Sequence, residues 1–193
     1  NYSNLPSPHI TPSMMMEIAE LVKKNIARED IAGVIVTHGT DTLEETAYLL
    51  DLVINTEKPI VVVGAMRNSS ELGYDGSSNL SAAICTAISP KSKNKGVLVV
   101  MNNEVNAAKE VTKTNTLSLD TFKSPEFGPL GIVDNDEVIY YRDIVSRQFI
   151  DTKKIEEKVG LIKSVPGMES DIIDFFINSD YKGIVIEALG RGN

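Results

Sequence analysis

The sequence predicts an α/β fold: a parallel, Rossmann-like sheet flanked by helices, a β-rich appendage, and the start of a second, smaller α/β domain. Three observations carry this. Val34-Ile35-Val36, Ile60-Val61-Val62-Val63 and Val97-Leu98-Val99-Val100-Met101 are short branched apolar runs, the composition of buried strands. The segments between them place apolar residues at three- and four-residue steps, the period of a helix. Uniformly apolar strands separated by helices imply a parallel sheet covered on both faces, with right-handed crossovers.

Taken in order, Thr11-Pro12 reads as a cap followed by proline at the first helical position. Met14, Ile18, Leu21 and Val22 give that helix its apolar stripe, with the three successive methionines as core filling. A strand over 33–37 and a helix over 42–54 follow, the helix burying Leu43, Thr46, Ala47, Leu50 and Ile54. Lys58-Pro59 breaks the chain before a strand over 60–64. A polar loop with Gly73 and Gly76 leads to a helix over 77–89 through Leu80, Ala83, Ile84 and Ala87, and a third strand covers 96–101. From residue 104 the pattern changes. Residues 110–118 alternate, with Thr112, Thr114 and Thr116 on one side and Val111, Lys113 and Asn115 on the other, and Val138–Arg142 reads as a strand after the turn Asp134-Asn135-Asp136. Charged residues 145–157 read as a linker between a domain at 1–144 and a βαβ unit beginning at 158. That unit stops directly after a strand, and the chain begins at Asn1 rather than methionine, so the expectation is an interior piece of a longer protein.

Composition narrows the function classes. With 193 residues the chain can bury a sizeable core. Its 19 Lys+Arg against 27 Asp+Glu, with no basic run longer than two, argue against nucleic acid and anionic membranes as partners. Cys85, the single cysteine, is expected as a small buried hydrophobe and has no partner for an internal disulfide. No apolar stretch approaches the roughly 18 residues needed to cross a bilayer, and residues 1–193 carry no signal-peptide pattern, which leaves a leader ahead of Asn1 open. The compartment stays open, with the cytoplasm the first expectation and export the second.

Chemistry concentrates in Gly33-Val34-Ile35-Val36-Thr37-His38-Gly39-Thr40-Asp41-Thr42-Leu43. Thr40, Asp41 and Thr42 fall between the carboxyl end of a strand and the start of a helix, where open α/β sheets bind ligands and helix amides favour anions. Thr40 offers a hydroxyl and Asp41 a carboxylate, enough to hold both ends of a zwitterion. The same residues also fit a purely structural role. Asp41-x-x-Glu44 and Thr42-x-x-Glu45 have the spacing of capping boxes, and His38 fits an ordinary buried histidine.

Familiar catalytic signals are absent. There is no Gly-x-x-x-x-Gly-Lys phosphate loop, no Gly-x-Gly-x-x-Gly after a strand, no Gly-x-Ser-x-Gly elbow, and too few histidines and cysteines for a zinc site. Threonine, serine, carboxylate and lysine remain. Lys113, within Thr112-Lys113-Thr114-Asn115-Thr116, stands among hydroxyls. A lysine held out of water can take a proton from a hydroxyl and activate it as a nucleophile; a lysine at a strand edge can equally serve to block aggregation.

These segments together resemble the bacterial L-asparaginases, the threonine amidohydrolases of the asparaginase/glutaminase family. The turn 33–43 fits the second family signature at every defined position. Val63-Gly64-Ala65-Met66-Arg67, Leu98–Asn102, Val111–Thr116, Thr121–Ser124 with Gly128–Gly131, and Gly190-Arg191-Gly192-Asn193 are similar to family segments in the family's order. The resemblance implies Thr40 as the second catalytic threonine, Asp41 as the acceptor of the substrate α-ammonium, and Lys113 as the proton-handling lysine coupled to both. It places Ser7 on the substrate α-carboxylate and the main-chain carbonyl of Ala65 on the scissile amide. It further implies hydrolysis of L-asparagine through an acyl-threonine without metal or organic cofactor, L-glutamine as second substrate, and a homotetramer or homodimer. Two features depart from the family. Pro8 follows Ser7 where glutamine is usual, and the Gly-Gly-Thr turn carrying the primary nucleophile is not in this sequence. The 193 residues alone are therefore expected to be inactive. The alternatives are the amidase subunit of a tRNA-dependent amidotransferase and a non-catalytic amino-acid sensor, for which Lys113 would have no use.

Overall fold

The computed structural model describes residues 2–192, in two compact units, Asn1–Lys153 and Lys154–Asn193. Asn1, and the last residue of the terminal motif, Asn193, lie outside the described residues. In the first unit α1 (Pro12–Ile26), β1 (Val34–Thr37), α2 (Leu43–Val53), β2 (Ile60–Val63), α3 (Gly76–Ile88) and β3 (Val97–Met101) follow in turn. Next come β4 (Glu104–Ala107), β5 (Thr112–Lys113), β6 (Phe122–Lys123), β7 (Gly131–Asp134) and β8 (Glu137–Tyr140). The second unit is β9 (Val159–Lys163), α4 (Asp171–Asn178) and β10 (Gly183–Glu187), with β9 and β10 parallel. No helix among the described residues is long and apolar enough to cross a membrane.

The three expected strands pair in parallel, Val34 opposite Ile60 and Ile60 opposite Val97. The sheet does not stop there. Its order is β1-β2-β3-β4-β7-β8, so the β-rich part adds three antiparallel strands to the edge of the same sheet. Two-residue turns account for this. Asn102-Asn103 and Asn135-Asp136 all adopt positive φ, the conformation that turns a hairpin with the native twist. Among the described residues of the first unit, β5 and β6 stand apart from this sheet as a two-residue ladder of their own.

Burial follows this order. β2 and β3 are buried at every residue, whereas Val34, Ile35 and Val36 are only half-buried. Both α1 and α3 pack on β1, and its lower burial comes from its outer edge, because among the described residues β1 pairs with β2 alone. Beside its outer edge lies a cavity of about 390 Å³ lined by residues including Ile10, Ile18, Leu21, Val22 and Val34. Helix α1 begins as expected, with Thr11 accepting the Met14 amide at 3.3 Å. Its buried stripe is Met15, Met16, Ile18, Ala19, Val22 and Ile26; Met14 is half-buried and Leu21 exposed.

Helix α3 departs from expectation for a related reason. It buries Asn79, Ala82, Ala83, Thr86 and Ala87, leaving Leu80 and Ile84 exposed. Small residues let its axis approach the sheet, and Gly33 completes the fit: a Cβ there would stand 2.6 Å from the Ala87 carbonyl oxygen and 2.9 Å from that of Pro59. Cys85 is likewise part-exposed rather than buried, its Sγ 3.9 Å from Asp136 Oδ1. Residues 144–152 have no regular structure but are fastened to the first unit. Arg147 pairs with buried Asp51 at 2.9 Å, and the Ile150 amide donates to the Leu52 carbonyl at 2.7 Å.

These differences in burial have a measurable consequence. Leu50→Ala removes a fully buried side chain of α2 and is expected to destabilise the first unit by ~2–5 kcal/mol. Leu21→Ala, at a position 44% exposed, should cost no more than about 1 kcal/mol. Denaturant midpoints compare the two, and equal shifts would contradict the assignment.

Candidate active site

The site forms where β1 ends. The His38 amide still donates to the Val63 carbonyl at 2.8 Å, after which the chain turns through Gly39 and Thr40 into α2. The sequence left open whether 40–45 is merely a cap, and the geometry answers. Neither capping box is closed. Thr42 occupies the cap position without a side-chain hydrogen bond to the helix; its Oγ1 donates to the Ser7 carbonyl at 2.8 Å. Glu44 accepts from the Thr112 hydroxyl at 3.0 Å and from the Lys113 amide, 68 and 69 residues away. His38 is half-buried: its Nδ1–H donates to the Gly39 carbonyl at 2.8 Å, and its Nε2 lies 3.0 Å from Thr46 Oγ1. The ring braces the turn from the helix side.

Lys113 arrives from the opposite direction. Its Nζ donates to Thr40 Oγ1 at 3.0 Å and to Asp41 Oδ1 at 2.7 Å. The lysine side chain is 16% exposed and that of Asp41 61%, so the ion pair has a part-buried cation and a carboxylate open to solvent. The alternation expected over 110–118 lasts only for β5. Beyond it Thr114 and Asn115 turn back on Thr121, whose hydroxyl accepts the Asn115 amide at 2.6 Å and donates to the Asn115 carbonyl at 2.5 Å. That knot ends the strand and leaves Lys113 over the turn instead of on an outer edge.

Ser7 comes to the same place from the N-terminal segment, in a single turn of 3₁₀ helix, Ser7–His9. It is buried, and its Oγ accepts the Asp41 amide at 3.1 Å. Gly39 is required for this contact: a Cβ there would stand 2.8 Å from Ser7 Oγ. Ala65 follows Gly64, where a Cβ would meet the His38 carbonyl oxygen at 2.6 Å and Thr40 Cγ2 at 3.1 Å. Ser7, Thr40, Asp41 and Lys113 are thus joined by hydrogen bonds, and Ala65 enters the loop packed on Thr40.

Two residues of this region escaped the sequence reading. Asp75 accepts the amides of Met66 (2.9 Å) and Arg67 (3.0 Å), shaping the loop that contains Ala65. Asn79, one helical turn on, donates to the Gly64 carbonyl at 3.0 Å and accepts the Asn102 amide at 2.9 Å. The legible signal is an amide side chain on the buried face of α3, among Ala82, Ala83, Thr86 and Ala87. Burial by itself would push the Asp75 carboxyl up, but the Met66 and Arg67 amides and Asn79 outweigh it and hold the group below the usual carboxylate range.

A family model described as the asparaginase N-terminal domain matches residues 1–146. The chain belongs to the asparaginase family. It is 40% identical over 97% of its length to the probable periplasmic L-asparaginase of Haemophilus influenzae, covering 55% of that protein. It is 39% identical to L-asparaginase 2 of Bacillus subtilis over 98% of this chain and 52% of that one. L-asparaginase 2 of Escherichia coli is also 39% identical, over 98% of this chain and 56% of the relative. The chain thus spans about half the length of these curated relatives. The asparaginase-like segments named from the sequence supply the turn, the Ala65 loop and the Lys113 strand around one end of the sheet.

The Asp75 network gives a pH test. A depressed carboxylate contributes stability that is present above its unfolded pKa and lost as pH falls through the folded value. The amide resonances of Met66 and Arg67 should therefore shift together on acidification, with a midpoint below the ordinary ~3.9 of aspartate. A midpoint at or above that value would contradict the role given to the two amides.

Proposed function

We propose that this chain supplies the amino-acid pocket and proton-handling half of an enzyme that hydrolyses L-asparagine to L-aspartate and ammonia. The single observation that carries the reading is the contact of Lys113 Nζ with both Thr40 Oγ1 and Asp41 Oδ1, made across 73 and 72 residues of sequence. A sensor needs a counter-charge for the substrate ammonium and nothing more. A lysine seated on a hydroxyl is what proton transfer to or from that hydroxyl requires.

In this reading Asp41 receives the α-ammonium. Its carboxylate has acceptor capacity beyond the one bond to Lys113, and its exposure keeps it open to an incoming amino acid. Ser7 Oγ already accepts the Asp41 amide, so its hydroxyl proton can be directed to the α-carboxylate. The Ala65 carbonyl would accept from the side-chain amide. Thr40 and Lys113 act as a proton relay while the amide nitrogen leaves as ammonia and water cleaves the acyl-threonine. The primary nucleophile of that step is the threonine of the Gly-Gly-Thr turn, which residues 1–193 do not contain. The outer edge of β1 runs to Thr37, three residues before Thr40. A parallel strand laid along it would deliver its own carboxyl-terminal turn to the same place. Pro8, which offers no hydrogen-bond donor, leaves the choice between L-asparagine and L-glutamine to other groups. A homotetramer or homodimer belongs to the same proposal, by family likeness.

Three substitutions in the enzyme carrying this chain test the assignments. Thr40→Val keeps the volume and removes the hydroxyl; turnover should fall by ~10²–10⁴-fold while weak L-aspartate binding survives. Asp41→Ala should instead weaken L-aspartate binding by about 2 kcal/mol, the lower end for a charge pair because the carboxylate is exposed. Lys113→Met should depress kcat far more than it raises KM, the pattern of an interaction made chiefly in the transition state. Near-normal ammonia release by Lys113→Met would remove the proton-transfer role. Residues 1–193 assayed by themselves are expected to release no ammonia.

A further inference from the structure

We infer that Glu44 is a positioning residue that sets Lys113 against Thr40; the inference rests on the asparaginase reading for its functional meaning and on geometry for its substance. Glu44 is the second residue of α2, in its first turn. Its Oε1 accepts from the Thr112 hydroxyl at 3.0 Å and its Oε2 from the Lys113 backbone amide. Both carboxylate oxygens are therefore committed to the strand that carries the lysine, and none to the helix cap.

The β5–β6 hairpin is tied to the sheet by the buried Val111 and Phe122, by the Val111 amide on the Ala107 carbonyl at 3.0 Å and by Lys123 on Glu104 at 2.8 Å, but none of these links sets β5 against the turn that carries Thr40. β5 is two residues long and pairs only with the two residues of β6. Thr114, Asn115 and Thr121 tie this hairpin to itself. Its hydrogen bonds to the catalytic turn are those made by Thr112 and Lys113. A lysine side chain carries about 2 kcal/mol of rotamer entropy, and an ammonium on a long stem finds a hydroxyl reliably only when its backbone is fixed. Glu44 fixes it. Lys113 is then gripped at both ends by one five-residue stretch, Nζ by Thr40 and Asp41 and N–H by Glu44. Because Glu44 and Thr40 share a rigid turn-and-helix, the lysine keeps its register with the hydroxyl even if the hairpin moves. The acidic side chain also suits the positive end of the helix. That general effect needs charge, whereas the positioning role needs an acceptor oxygen directed at Lys113, and the two can be separated.

The experiment is amide hydrogen exchange on the 193-residue chain, resolved by residue, for the wild type, Glu44→Ala, Glu44→Gln and Thr112→Val. In Glu44→Ala the Lys113 amide should exchange about tenfold faster or more, as expected for a lost hydrogen bond to a charged acceptor, with Val61 and Val99 in the sheet core unchanged. Glu44→Gln keeps a carbonyl oxygen for the amide and should stay within roughly threefold of wild type. Thr112→Val removes one arm and should fall between. In the active enzyme Glu44→Ala should lower kcat by about tenfold with KM nearly constant, the signature of lost alignment rather than lost binding. An unchanged Lys113 amide in Glu44→Ala would overturn the proposal. So would a loss shared equally by Val61 and Val99, or a Gln variant as impaired as the Ala variant. Absence of ammonia release by the wild-type enzyme would instead sink the asparaginase reading and leave the exchange result standing.

Discussion

One ion pair joins the separate stretches of chain that meet at the site. Lys113 reaches Asp41 and Thr40 across more than seventy residues of chain, and its side chain is largely withdrawn from water while Asp41 stays exposed. A buried ammonium must have its donors satisfied, or the burial is costly. Thr40 and Asp41 supply those partners for Lys113. The pair therefore links the turn after β1 to β5, and on the proposed reading it is also where the chemistry takes place.

The fold is arranged to present this pair. β1 is the edge of the sheet, so the turn that follows it meets solvent and the open cavity on one side. On the other side it meets the loop after β2, where Gly64 packs against Thr40. Asn79 ties that loop to the Asn102 turn, and Asp75 fixes the amides after Ala65. Ser7 closes the third side by accepting the Asp41 amide. Four separate stretches of chain therefore converge on one strand end, each held by side-chain to backbone hydrogen bonds, which define orientation more sharply than apolar packing.

Much of this was legible in the residues, and the failures have physical causes. The three parallel strands and the helices between them followed from period and composition, since buried strands and amphipathic helices leave unmistakable patterns. The strands' degree of burial did not, because whether β1 lies inside or at an edge is a property of sheet order. The apolar stripes of α1 and α3 were misjudged at Leu21, Leu80 and Ile84. Helix α3 buries its small residues Ala82, Ala83 and Ala87 against the sheet instead, and α1 buries Met15, Met16 and Ala19 beside Ile18 and Val22. Glu44 and Thr42 were legible as capping residues and in fact spend their polar atoms on Lys113, Thr112 and Ser7. Capping boxes are local, and a local pattern cannot report a partner seventy residues away. Thr40 and Asp41 stood out from their place between strand and helix and Lys113 from its flanking hydroxyls, but their roles came from resemblance to the asparaginases; the Lys113 segment alone favoured a strand-edge lysine.

The central claim is that residues 7, 40, 41 and 113 form one amino-acid pocket, and ligand binding tests it most directly. L-aspartate titrated into the isotopically labelled 193-residue chain, at up to tens of millimolar, can be followed by residue-resolved NMR. The account predicts saturable shifts at Ser7, Thr40, Asp41 and Lys113, abolished by Asp41→Ala. Shifts confined to the α1 surface or to β9 and β10, or shifts that persist unchanged in Asp41→Ala, would contradict it.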